Sequence, residues 1–153
     1  MAQYLILGVH ITGVYDVNRR TTLPDDNFSL VVEWANSIAK PGLKGILFHN
    51  NFSVETCRRH ETKRLRLIQI QHDARFTPNV YRYFLYRDFL RDHVSEIEGL
   101  FVTDASDVVV SNNPFEQPLF KEPPQSLFCG DEPKPLDNVW MKEHATHLRG
   151  FVA

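Results

Sequence analysis

Leu100 to Phe115 reads LFVTDASDVVVSNNPF: an apolar run, an acidic group of Asp104, Ala105, Ser106 and Asp107, and a second apolar run from Val108 to Val110. Gly99 to Thr103 has the short, bounded apolar character of a buried strand. In open α/β sheets ligands bind outside the carboxyl ends of the strands, and that is where such a strand delivers Asp104 and Asp107. Two carboxylates separated by two small residues in a tight turn can converge on one divalent cation, and oxygen ligands suit Mg²⁺ or Mn²⁺. A metal held there would bridge a nucleotide diphosphate and neutralise charge as a bond to phosphate breaks. The blander alternative makes Asp104 a turn cap and leaves Asp107 solvated. The apolar runs on both sides favour the site.

The rest of the chain supplies the elements such a sheet needs. Upstream, Thr77-Pro78 starts a helix over Pro78 to about Val94, since proline at the first helical position lacks only an N–H that would be unpaired anyway. Val80, Tyr83, Phe84, Leu90 and Val94 are expected to form its inner face. Tyr4 to Tyr15 (YLILGVHITGVY) is rich in β-branched and aromatic residues and reads as a strand feeding the polar run Asp16 to Arg20. Asp25, Asp26 and Asn27 offer cap oxygens to a helix patterned by Leu30, Val31, Trp34, Ala35 and Ile38 and stopped by Pro41-Gly42. Ile46 to Phe48 is a short buried strand, Ser53 caps a brief helix through Arg59, and Leu65 to Ile70 is a third strand. Strands alternating with helices imply an α/β sandwich with a mostly parallel central sheet flanked by helices. Beyond Asn113 prolines crowd the chain, with one further strand expected at Ser126 to Cys129.

Composition bounds the partners. The chain has 153 residues, 17 Lys plus Arg against 19 Asp plus Glu, and 42% hydrophobic residues, enough for one domain with a core. A net charge of −2 with mixed signs creates no basic field, so nucleic acid is not an expected partner. The densest basic run, Arg58 to Arg66, has no aromatic residues interleaved for base stacking. No apolar run reaches the roughly 18 residues of a membrane span. A soluble, cytoplasmic chain is the default expectation, or a secretory one if an anchor is missing. Cys57 and Cys129 stand far apart, outside any disulfide framework or C-x-x-C knuckle.

TDASDVVVSNNPF, preceded by the helix NVYRYFLYRDFL, resembles the nucleotide-sugar-dependent glycosyltransferases of the GT-A fold, and most closely the subgroup with a T-D-x-x-D-V-V-F-x-x-x-P-F pattern. The run YDVNRR, Asp25, the Trp34/Ser37 helix and a strand ending in His49-Asn50 extend the resemblance toward the start. It implies a Rossmann-like GT-A nucleotide-binding sandwich over residues 1–113, with 114–153 as the Pro-rich start of an acceptor region and the single domain incomplete at its C-terminal end. It implies transfer of a sugar from a nucleoside diphosphate sugar to a hydroxyl of a glycan, protein or small molecule, assisted by Mn²⁺ or Mg²⁺. By the same resemblance Asp107 ligates the metal, Asp104 contacts the ribose or shares the metal, Val14, Tyr15 and Asp16 hold base and ribose, and Arg82 reaches the nucleotide.

Other residues are weighed without the resemblance. Arg19 or Arg20 can meet phosphate through a guanidinium fork, and Arg19 is the candidate. Among the seven histidines only His144 and His147 are spaced to act from one helical turn, too few for a zinc site. His49 ends a central strand and is expected to be a hydrogen-bonded structural residue. Gly130-Asp131-Glu132-Pro133 reads as a turn. No G-x-S-x-G, Walker or G-x-G-x-x-G sequence is present. Two alternatives to the transferase remain: a nucleotide-sugar-binding module without catalysis, and a metal-dependent phosphohydrolase using Asp104 and Asp107.

Overall fold

Strand β1 (Gln3–His10) carries Leu5, Ile6 and Leu7, none more than 3% exposed, the continuous burial of a strand covered on both faces. A computed structural model of the protein describes residues 3–16 and 20–121. Arg19, the expected strand Ser126–Cys129, the Gly130–Pro133 turn, His144 and His147 lie outside the described residues. After β1 come the short strands β2 (Tyr15–Asp16) and β3 (Thr21–Thr22), paired as an antiparallel hairpin, then α1 (Val32–Ala39), β4 (Lys44–His49), α2 (Val54–His60), β5 (Leu65–Gln69), α3 (Pro78–His93) and β6 (Ile97–Val102).

The four long strands form a parallel sheet in the order β5-β4-β1-β6. The chain winds outward from β1 through β4 to β5, then returns across the sheet by α3 to lay β6 on the other side of β1. That reversal makes the crevice between the carboxyl ends of β1 and β6 a topological switch point. Side-chain alternation divides the core into two layers. Ile6, Leu47 and Leu65 pack with Trp34, Ala35 and Ile38 of α1, and Cys57 of α2 joins them. Leu5, Leu7, Ile46 and Phe48 face the other way, against Tyr86, Leu85 and Phe89 of α3. The architecture is a Rossmann-like α/β sandwich.

Local chemistry sets the element ends. The strand expected to reach Tyr15 stops at His10, because the backbone of Thr12 is taken by a side chain: its N–H donates to Asn50 Oδ1, and Asn50 Nδ2 donates back to its carbonyl, each at 2.9 Å. Gly13 then turns the chain at φ +73°, a conformation glycine adopts without strain. The helix expected from Asp25–Asn27 begins later. Asn27 caps a 3-10 turn over Phe28–Leu30, and α1 follows from Val32. Its stop at Pro41-Gly42 is as expected, with Gly42 at φ +78°. Ser53 caps α2 by accepting from the Thr56 N–H at 3.1 Å, and Pro78 occupies the first turn of α3.

The inner face of α3 differs from expectation. Val80, Tyr83 and Val94 are 47%, 59% and 68% exposed, and Tyr86 is the buried residue of the helix. Apolar and aromatic side chains surround much of this helix, so its own periodicity does not select a face. Phe48 does, by packing against Tyr86 and Phe89 with ring centroids 6.5 and 5.7 Å apart.

Candidate functional site

The carboxyl end of β6 leads straight into the acidic turn. Thr103 continues the ladder with β1, its N–H donating to the Leu7 carbonyl at 3.0 Å. Ala105 then points inward and is 2% exposed, while Asp104 and Asp107 on either side of it are exposed. Ala105 packs where glycine is needed on the facing strand: a Cβ added to Gly8 would lie 3.0 Å from the Ala105 methyl and 2.9 Å from Trp34 Cζ2. Trp34, itself 1% exposed, donates its indole N–H to Thr103 Oγ1 at 2.7 Å.

Arg82 on α3 meets this turn from the other layer. Its guanidinium forms a hydrogen-bonded ion pair with Asp104, and it lies 5.2 Å over the centre of the Tyr83 ring. Burial acts against the charge of Arg82, but the Asp104 carboxylate together with the Tyr83 and Tyr86 phenols outweighs it and the pKa is raised. Its Nε is buried with no hydrogen-bond partner among the described residues. Burial pushes the nearby Tyr86 phenol well above its ordinary value, so it remains neutral.

A second polar cluster joins the ends of β1 and β4. Thr12 Oγ1 donates to Asp25 Oδ1 at 2.8 Å, and Asn51 Nδ2 donates to the same oxygen at 2.7 Å. Asp26 accepts from the Ser53 N–H at 2.7 Å, which is the chief reason its pKa is lowered. Next to it His49 is 1% exposed, its Nδ1 accepting from the Phe52 N–H at 3.2 Å and its Nε2 lying 3.5 Å from Cys57 Sγ. Burial lowers the His49 pKa and raises that of Cys57, so the pair rests as neutral imidazole and thiol rather than as an activated nucleophile. His49 is the structural histidine expected.

Of the candidate residues, Arg82 and Asp104 are brought into contact, with Asp107 three positions further along the same turn. Val14 precedes the β2–β3 hairpin; Tyr15 and Asp16 form β2, with the Tyr15 side chain 59% exposed. The polar contact that reaches the acidic turn from these candidates is that of Arg82 with Asp104. No group of three or more His, Cys, Asp or Glu side chains capable of holding a metal occurs among the described residues. A cavity of about 630 Å³ lies elsewhere, lined by Lys40, Pro41, Asn112, Asn113 and Gln117.

The sequence reading did not find the Asn50 clamp, nor the hydrogen bonds from α1 to the acidic turn. The signal for the first was present as Asn50-Asn51, two amides directly after a strand buried from Gly45 to His49. The second leaves no mark in sequence, since its partners lie 69 and 73 residues apart. The chain matches no family model, no curated protein and no solved structure. No helix among the described residues is long and apolar enough to cross a membrane.

Proposed function

We propose that this domain is a nucleotide-sugar-binding module whose site is the carboxyl rim of the sheet beside β1 and β6. The observation that carries the reading is the Arg82–Asp104 pair at the topological switch point. It presents a guanidinium fork suited to phosphate oxygens and a carboxylate suited to ribose hydroxyls. Val14, Tyr15 and Asp16 would receive the base and ribose, and Arg19 a phosphate.

The oxygen donors fit a hard cation that arrives with its nucleotide. Asp107, with Asp104 as a second donor, would supply one or two carboxylates, the usual protein share where substrate phosphates provide the rest. Bound Mn²⁺ or Mg²⁺ would supply charge neutralisation at the diphosphate.

Sugar transfer is the fuller reading, favoured by the resemblance of TDASDVVVSNNPF to a GT-A glycosyltransferase pattern. In it the bond from the anomeric carbon to the diphosphate oxygen breaks, an acceptor hydroxyl bonds to that carbon and loses its proton, and Arg82 helps to hold the departing charge.

Calorimetric titration of UDP and of GDP, with and without Mn²⁺, tests the proposal on the wild type and on Asp107→Ala. Saturable binding that needs Mn²⁺ and is lost in the variant is the expected result. Absence of metal-dependent binding by the wild type overturns it. Transfer of sugar from a nucleotide sugar to an added hydroxyl acceptor would establish the transferase, and phosphate release from simple esters would favour a hydrolase instead.

A further inference from the structure

Helix α1 grips the acidic turn at both ends. At the start of the turn Trp34 Nε1 donates to Thr103 Oγ1 at 2.7 Å. Beyond its end Ser37 Oγ accepts from the Val110 N–H at 3.0 Å while donating its own proton to the Trp34 carbonyl at 2.7 Å. Trp34 and Ser37 are three residues apart, so they stand on one face of the helix. Both are nearly inaccessible, at 1% and 4% exposure, and between their two attachment points Ala105 is pressed into the core beside Gly8 and the Trp34 ring. A loop on the surface of an α/β sheet is ordinarily the part most free to move. Here the segment from Thr103 to Val110 is tied down at its first residue, its last residue and an interior methyl, and the carboxylates Asp104 and Asp107 are among the residues left outside.

We infer that Trp34 and Ser37 are positioning residues for the ligand site, holding the acidic turn so that Asp104 and Asp107 are presented together before any nucleotide or cation arrives. The inference rests on the nucleotide-site reading above. Its physical basis is preorganisation: carboxylates already held in place bind a cation and its diphosphate without first losing the freedom of the loop. Ser37 has the further task of satisfying a backbone N–H just where the chain leaves the turn, so loss of its hydroxyl releases the exit of the loop while leaving the carboxylates untouched.

Thr103→Val, which keeps the shape but removes the acceptor, Thr103→Ser, which keeps the acceptor, and Ser37→Ala test the clamp. Two measurements are made on each full-length variant: amide hydrogen exchange over residues 104–107 in the ligand-free protein, and affinity for UDP in the presence of Mn²⁺. Thr103→Val and Ser37→Ala are expected to speed exchange in the turn and to weaken UDP binding about tenfold, the lower end of what loss of a supporting contact around a metal site costs. Thr103→Ser is expected to restore both properties. Exchange across β1 and β4 reports whether a variant is folded, which separates a released turn from a damaged core. Unchanged exchange and affinity in folded Thr103→Val and Ser37→Ala overturn the clamp while leaving the nucleotide reading intact. Failure of the wild type to bind UDP overturns the nucleotide reading and the positioning role together, even if exchange shows that the turn is tied down.

Discussion

Arg82 of α3 and Asp104 at the carboxyl end of β6 form an ion pair over the rim of the sheet, joining a helix of one layer to the turn held by the other. The pair is unequal in its surroundings: the Arg82 side chain is 24% exposed and that of Asp104 52%. Arg82→Gln is therefore expected to cost no more than about 1 kcal/mol of stability, as for other partly solvated pairs. Its effect on UDP affinity should be larger, roughly tenfold or more, because a charged hydrogen bond to phosphate is worth about 1.5–3 kcal/mol. Urea denaturation and calorimetry on the same samples check the two values, and an affinity equal to wild type removes Arg82 from the site.

Gly8→Ala should destabilise the domain by about 1–3 kcal/mol, the usual cost of forcing a methyl into a packed core. The added Cβ would meet Trp34 Cζ2 at 2.9 Å and Ala105 Cβ at 3.0 Å, and neither is the movable end of a flexible chain. Equilibrium unfolding measures the loss. Trp34 fluorescence should shift as the ring is displaced, and an unperturbed spectrum with full stability would contradict this packing.

Asn50→Ala is expected to cost about 1–3 kcal/mol, the penalty of leaving a buried polar group unsatisfied, since it takes the acceptor from the Thr12 N–H where that residue is only 2% exposed and leaves its carbonyl only the longer bond from Asn51 Nδ2, at 3.3 Å. Asn50→Asp retains the acceptor for the Thr12 N–H but loses the donor to its carbonyl, so it should fall between wild type and Asn50→Ala. Urea midpoints of the three proteins test that ranking.

The pH dependence of stability should carry the signature of His49. Burial lowers its pKa from an ordinary 6.5, so between 6.5 and the lower folded value the unfolded chain binds more protons than the native one. Its contribution is fully present above about 6.5 and is lost as the pH falls through that window toward the folded value. His49→Asn, which can still offer an oxygen to the Phe52 N–H, should flatten the profile there. Urea midpoints at several pH values measure it, and an unchanged slope would assign the dependence to another group.

How far the sequence could be read depended on whether the deciding contacts were local. Ser53 before α2, Pro78 at the start of α3 and the Pro41-Gly42 stop act within a turn of their own backbone, and each was legible. So was the parallel α/β order, because the buried runs around Ile6 and Leu47 alternate with helices. The end of β1 at His10 was not legible, since it depends on Asn50 reaching back 38 residues to Thr12. The burial of Tyr86 rather than Tyr83 was hidden for the same reason: α3 is apolar on several sides, and Phe48 of β4 determines which one turns inward. At the site, the acidic turn stood out because its residues are contiguous, whereas the Arg82–Asp104 pairing and the Trp34–Thr103 bond exist only once two layers have closed on the sheet.

Because Leu5 and Leu7 point into one layer and Ile6 into the other, the two layers share little beyond the sheet itself. The Arg82–Asp104 pair is a stitch between them, made outside the hydrophobic core and open to exchange. A diphosphate and cation seated on Arg82 and Asp107 would replace that stitch with a rivet through both layers. Occupancy would then register as resistance of α3 to peeling away from the sheet, a mechanical quantity that can be read at Tyr86 without following any reaction.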